Sequence, residues 1–418
     1  MFREESRDFT LLWVGQAASQ FGSGLYAFGY TLWVLQRYDS IAAIGLVTAA
    51  TLTSFTAAQV PAGWLADRFD RRKVLLACDA SSCLAALGLA AGARTGVMGF
   101  ALLMLTAVAL GAGAATRRIA EGAALTNVVP EERLPQAISL NEARGYAAAL
   151  AAPAVAGWLF TLDAGLPFLV DGLTYLFSIA CALAVRVPLQ GQQATDSRPT
   201  VTRTDYTAGV RLFWRQPFIR TASLLSAATD YAVAGFALVA AVLLLERAAV
   251  APSVAGLAAG AASAVGLAGA MATPWIRRHT RTVRRALYVS SVGTIASMLV
   301  MSLSLSPGAG APVVSVVVVG YASLFLLRPL WQAAVARRIT LVEDRFRGRV
   351  QAVMGLVAAV PFTLAPVTTG LAIDAWGLPA ACAGLLTIMV LAAIGACVSR
   401  AVHAVDQTVA VTAARAVG

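Results

Sequence analysis

The chain has 418 residues, 59% of them hydrophobic and only 13% charged, with a net charge of +11. Soluble chains carry about 25% charged residues, so this one cannot coat a water-exposed surface, which excludes a soluble enzyme, a nucleic-acid-binding domain and a disordered chain. Twelve membrane-spanning helices need about 240 apolar positions, and the hydrophobic residues supply about 247.

Apolar runs bounded by charges or turn residues predict spans at 10–36, 41–65, 74–93, 97–124, 138–161 and 166–186. Six more follow at 217–245, 252–276, 286–306, 312–336, 349–373 and 377–399. The expected fold is therefore all-α, a polytopic membrane protein of twelve transmembrane helices in two pseudo-symmetric six-helix bundles. The expected division is a first bundle over 1–186, a cytoplasmic linker over 187–216, and a second bundle with a short tail over 217–418. The charged start, MFREESRDF, leads directly into the first span and does not read as a cleavable signal peptide.

Span 1 places Gln16, Ser19, Ser23, Tyr26 and Tyr30 along one side at helical spacing. Such a stripe is out of place against lipid, and rings with hydroxyls on a wet wall suit bulky amphipathic molecules. These residues are candidates for a substrate cavity; hydrogen bonds between helices are the alternative reading.

The loop after span 2 reads Gly63-Trp64-Leu65-Ala66-Asp67-Arg68-Phe69-Asp70-Arg71-Arg72-Lys73. A small residue allows close approach to a neighbouring helix, Asp67 offers a carboxylate to a helix N-terminus, and the arginines offer pairing with acidic groups. The loop resembles motif A of the major facilitator superfamily, G-x-L-A-D-R-x-G-R-R, with Asp70 replacing the second glycine. The form DRFDRR is similar to the branch of drug–proton antiporters containing macrolide-efflux and enterobactin-exporter-like proteins. The resemblance implies a cytoplasmic gate built from Gly63, Asp67, Arg68, Arg71 and Arg72.

In span 4, Arg118-x-x-Glu121-Gly122 resembles the antiporter motif R-x-x-Q-G with glutamate for glutamine. Charges within a bilayer are usually paired, and Glu121 stands four residues after Arg117 and three after Arg118. The expected behaviour is proton-responsive: protonating Glu121 releases an arginine. A structural ion pair near the cytoplasmic helix end is the other reading. In span 5, Gly145, Pro153 and Gly157 resemble a degraded third antiporter motif, with Ala152 and Ala156 at other motif positions. Small residues permit close helix packing, and this resemblance favours export over import. Asp79 in span 3 and Asp171 in span 6 are expected nearer the water interfaces.

The polar stretch 187–216 is expected to end in an amphipathic segment around 210–214. Beyond it, Asp230 lies about 13 residues into span 7, roughly 20 Å at 1.5 Å per residue, with Ser223 and Ser226 on the same helical face. At that depth loss of hydration favours the neutral form of a carboxyl group, which suits proton carriage or the countering of a cation; a hydrogen-bonded structural aspartate bridging two helices is the alternative reading. Arg328 in span 10, followed by Trp331 and Gln332, is a candidate for the transport path or for structural pairing. Asp230, with Arg118 and Glu121, is the expected proton-coupling set. The expected cavity adds Ser226, Arg328 and Trp331 to the span 1 stripe.

The halves repeat. At an offset of 213, Val129 meets Val342, Glu131 meets Asp344, Pro153 meets Pro366 and Gly157 meets Gly370. At an offset of 211, Trp64 meets Trp275 and Lys73 meets Arg284. Of 32 basic residues, 28 fall on one side of the predicted membrane, which places both termini and the linker in the cytoplasm. Lys73 is the sole lysine; this arginine bias points to a GC-rich bacterium and its inner membrane.

Five cysteines (Cys78, Cys83, Cys181, Cys382, Cys397) sit in apolar stretches without metal or redox spacing. No phosphate-binding loop occurs, His279 and His403 are isolated, and no catalytic constellation is visible, so no enzyme activity, cofactor or metal is expected. The expected partners are a small-molecule substrate, protons and the bilayer, with no nucleic acid and a monomeric chain. The sequence thus points to a proton-coupled exporter of small amphipathic compounds (drug, antibiotic, natural product or siderophore). A metabolite uptake symporter stays open, and a non-transporting sensor fits less well.

Overall fold

The computed structural model describes residues 2–38, 40–97, 99–130, 133–189, 210–248, 250–280, 282–305, 312–335 and 344–404. The helices of the first half are α1 (Phe2–Tyr38), α2 (Ile41–Arg68), α3 (Arg71–Thr95), α4 (Phe100–Val128), α5 (Leu134–Leu162) and α6 (Leu166–Ala184). The second half contains α7 (Pro217–Val242), α8 (Pro252–Thr280), α9 (Val283–Leu303), α10 (Pro312–Leu326), α11 (Arg328–Val335), α12 (Asp344–Trp376) and α13 (Leu378–Val398). No strand occurs among the described residues. Among the described residues, eleven helical stretches are long and apolar enough to cross a membrane. α1 is not among these eleven; its centre carries the polar Gln16, Ser19, Gln20 and Ser23, and it supplies the twelfth helix of the expected fold.

Helix ends follow local chemistry. The Ser40 hydroxyl accepts from Ala43 N–H to cap α2, and the Asp70 carboxylate accepts from Arg72 N–H at 2.8 Å to cap α3. That cap explains the acid at a position where the family pattern has glycine. Gly377, at φ +80°, makes the sharp turn between α12 and α13 that an L side chain disfavours. Span 10 is broken: Leu327 separates α10 from α11, and Pro329 lacks the N–H that would continue the ladder. The Leu327 carbonyl accepts from the Trp331 N–H at 3.3 Å and also from the Ser290 hydroxyl at 2.8 Å. The end of α7 widens into a π-turn over Leu243–Arg247.

Two compact units emerge. One comprises Met1–Ser197 with Val250–Gly260, the other Arg198–Ala249 with Ala261–Gly418. In the first, α1 packs on α6 and α5, α2 on α4, and α3 on α6 and α4. The start of α8 belongs here because α5 presents small residues to it: a side chain on Gly157 would strike the Pro252 carbonyl, and one on Gly256 the Pro153 carbonyl. In the second unit, α7 packs on α12 and α13, and α9 on α10, α11 and α13.

The cytoplasm-predicted end of the first unit is tied by polar side chains reaching backbone at the end of α6. Arg72 donates to the carbonyls of Val185 and Val187, and Asn127 to that of Leu189 at 2.7 Å. Arg71 donates to Ala123 O at 2.8 Å and Leu189 O at 3.4 Å. Asp8 accepts from the N–H groups of Arg186 and Val187 at 2.9 and 2.8 Å. At the opposite end, Arg94 bonds Asp163 at 2.9 Å in an exposed pair, and that bond holds the Asp163 carboxyl below the usual carboxylate range.

Of the linker, residues 190–209 lie outside the described residues. Residues 210–215 form a helical turn in which Phe213 is buried against Ile219, Val350 and Met354 while Val210 and Trp214 are exposed. This is an amphipathic segment anchored on one aromatic ring.

Candidate functional site

Two layers of buried charge occupy the first unit. In the inner layer, Asp79 of α3 is fully buried and bonds Arg117 of α4 at 3.2 Å. The Ser178 hydroxyl donates to the other Asp79 oxygen at 2.7 Å. Arg117 also stacks over the Tyr175 ring, 5.2 Å from its centroid, and reaches Ser23 at 3.4 Å. Ser23 donates to Ser19 O, so its oxygen accepts from both Arg117 and the Tyr175 hydroxyl. Beside this network Asp171 is fully buried with neither oxygen hydrogen-bonded. Both Asp79 and Asp171 face the interior of the helix bundle.

The outer layer lines a cavity of about 590 Å³. Glu121 on its wall bonds Arg144 of α5 at 2.8 Å, and Arg144 also donates to the Gln20 side-chain oxygen at 2.9 Å. The expected partnership of Glu121 with Arg117 or Arg118 is corrected. Helical spacing puts Arg117 within reach, but Asp79 and the Tyr175 ring hold it, whereas Arg144 projects from α5 to meet Glu121. Arg118 lines the same cavity, exposed, and has no partner among the described residues.

The stripe on α1 divides. Gln16 and Ser23 line the cavity with Gln20. Ser19 is fully buried and donates to Gln16 O at 3.2 Å. Tyr30 shares a 2.5 Å hydrogen bond with Thr48 of α2, and Tyr26 packs between Tyr30 and Phe168. These three were expected on the cavity wall; Tyr26 and Tyr30 instead pack against other helices, and Ser19 bonds back to its own helix. Gly145 approaches Gln20, and Pro153 and Gly157 lie against the start of α8.

The gate residues behave differently from the expectation. Gly63 lies within α2, and a side chain added there would meet nothing within 4 Å, so close approach is not its role. Among the described residues, Arg71 and Arg72 bond carbonyls, as above, and not carboxylates. Arg68 lies over the Trp64 ring at 5.4 Å, and the Asp67 side chain lies outside the described residues. Gly63→Ala is accordingly expected to keep fold and transport and to raise stability by up to about 1 kcal/mol through helix propensity, read as thermal midpoint and probe efflux. A loss of folded protein would contradict the open space.

In the second unit, Arg328 bonds Asp230 at 3.0 Å, and Gln332 donates to the same oxygen at 3.4 Å. The helix break at Leu327 places Arg328 at the start of α11, where its side chain reaches α7. Trp331 was expected on a cavity wall; it is fully buried among Phe218, Leu287 and Leu330 and donates to Ser226 at 3.2 Å. Ser223 is buried with its hydroxyl unpartnered. At the repeat offset of 211, Arg117 falls on Arg328 and Glu121 on Gln332. Each half therefore sets one intramembrane arginine on an aspartate from another helix.

Comparison with known proteins decides the family. The model of the Major Facilitator Superfamily matches residues 12–366. The chain belongs to the Major Facilitator Superfamily. Among similar proteins is the multidrug efflux pump Tap of Mycobacterium tuberculosis and Mycobacterium bovis, 26% identical over 397 residues, covering 88% of this chain and 89% of that protein. Two solved structures share the fold. A bacterial homologue of the human lysosomal transporter Spinster, in an inward-facing and unoccupied conformation, gives a TM-score of 0.71 at 16% identity over 96% of each chain. The nucleoside transporter NupG gives 0.73 at 10% identity over 93% of this chain and 98% of its own. Family and fold make this superfamily member a multi-pass membrane transporter of small molecules and point away from an enzyme.

Proposed function

We propose that the chain exports small amphipathic compounds by proton antiport through alternating access, from a bacterial inner membrane in which both termini are cytoplasmic. Three features support this reading: the similarity to a multidrug efflux pump, the degraded antiporter motif on α5, and ion-paired carboxylates in membrane-embedded helices. The observation that carries it is the Glu121–Arg144 pair on the wall of the 590 Å³ cavity. A cavity of that volume matches a drug-sized molecule, and a carboxylate on its wall is open to both cargo and protons. Protonating Glu121 removes the charge that holds Arg144, so proton uptake rearranges the cavity wall. The Asp230–Arg328 pair supplies a second exchange point.

The test uses everted membrane vesicles energised by respiration, with a pH-sensitive dye reporting the acid interior. Ethidium, rhodamine 123 and 5-carboxyfluorescein are added in turn, and at least one is expected to release protons from vesicles containing the wild-type chain. Glu121→Gln vesicles are expected to lose that release. Equal proton release in both would remove Glu121 from coupling, and none with the wild type would remove antiport.

A further inference from the structure

We infer that the cavity of the first unit takes its cargo through an anionic group, a carboxylate, sulfonate or phosphate, and that Arg118 holds it. The inference deepens the export reading and rests on it for the direction of movement. Its basis is the state of each charged group on the wall. Arg117 is committed to Asp79, and Arg144 to Glu121 and Gln20. Arg118 alone of the three arginines is exposed with no partner among the described residues. Glu121 is the only carboxylate among the described wall residues, and Arg144 already holds it. Asp79 and Asp171 are fully buried and absent from the wall.

A cationic cargo would require a free carboxylate or an aromatic cage, and Phe55 is the sole aromatic ring on the described wall. An anionic cargo finds a guanidinium fork that matches carboxylate and phosphate geometry. The side-chain amides of Gln16 and Asn141 on the same wall offer further donors. The inside-negative membrane potential also drives an anion outward, in the direction of export.

The probes are 5-carboxyfluorescein, anionic, and rhodamine 123, a cationic dye on the same ring system, with the purified full chain in nanodiscs. Fluorescence polarisation is expected to show tighter binding of carboxyfluorescein. Arg118→Gln is expected to weaken it about 10-fold to 100-fold, the range of a charge-assisted hydrogen bond; Arg118→Lys is expected to recover part. Because Arg118 has no partner among the described residues, size-exclusion profiles of both variants should match the wild type. Should the Gln variant fail to fold, the Lys variant decides, with an intermediate affinity as the supporting result. Tighter binding of rhodamine 123, no binding of carboxyfluorescein, or an affinity unchanged by the substitutions overturns the inference. Proton-driven movement of rhodamine 123 without carboxyfluorescein binding would overturn it while leaving export standing. Carboxyfluorescein binding with no proton-driven movement of either dye would support it and overturn export.

Discussion

Arg117→Ala is expected to lower the stability of the folded chain by about 3–5 kcal/mol, the cost of leaving one partner of a buried ion pair alone. Asp79 is fully exposed to this loss because no solvent reaches it, and Ser178 supplies only one hydrogen bond to its second oxygen. The same substitution removes the ring stacking on Tyr175 and the cation that faces Asp171. The measurement is the thermal midpoint of detergent-purified protein followed by tryptophan fluorescence. The double variant Asp79→Asn with Arg117→Gln removes both charges together and is expected to recover much of the loss. A single variant as stable as the wild type would show that the pair is not structural.

The second large effect is on transport. Asp230→Asn is expected to reduce proton-driven efflux to the level of vesicles lacking the protein, while the chain stays folded in the membrane. The substitution preserves shape and lets Gln332 keep a hydrogen-bonding partner, but it cannot carry a proton or hold Arg328 by charge. Asp230→Glu, which restores the carboxyl group at a different reach, is expected to return part of the activity. Unchanged efflux in the Asn variant would take Asp230 out of the coupling mechanism. The two variants separate two roles for arginine–aspartate pairs whose arginines, though not their aspartates, match in the repeat: Arg117–Asp79 sealed inside one bundle, Arg328–Asp230 with its arginine partly exposed.

Much of the fold was legible because length, hydropathy and charge asymmetry each act on whole segments. Predicted spans fall within two or three residues of many observed helix ends, as with 41–65 against Ile41–Arg68 and 166–186 against Leu166–Ala184. Span 10 was legible as one segment but not as two helices, because its break at Leu327 sits beside Pro329 and takes an added hydrogen bond from Ser290 of α9, a neighbour that the local sequence does not reveal. The site was legible only in part. Buried acids and arginines stand out by composition, yet their pairing depends on which helix faces which, and that is not written along one helix. Glu121 illustrates this: its neighbours at i−3 and i−4 are arginines, but its partner lies 23 residues later on α5. A signal for Arg144 did exist, since it directly precedes Gly145 at the head of an apolar span. Tyr26 and Tyr30 show the converse error, where helical periodicity identified a polar face correctly but could not say whether that face meets water or another helix.

The central claim is that proton movement and cargo movement are obligatorily opposed through these carboxylates. The most direct measurement uses purified protein in proteoliposomes with an imposed pH gradient and no other pump, testing ethidium, rhodamine 123 and 5-carboxyfluorescein in turn. The expected result is that at least one dye moves against its own concentration gradient while protons run down theirs, and that Asp230→Asn stops both movements together. Dye that only equilibrates, with no proton flux linked to it, would contradict the account.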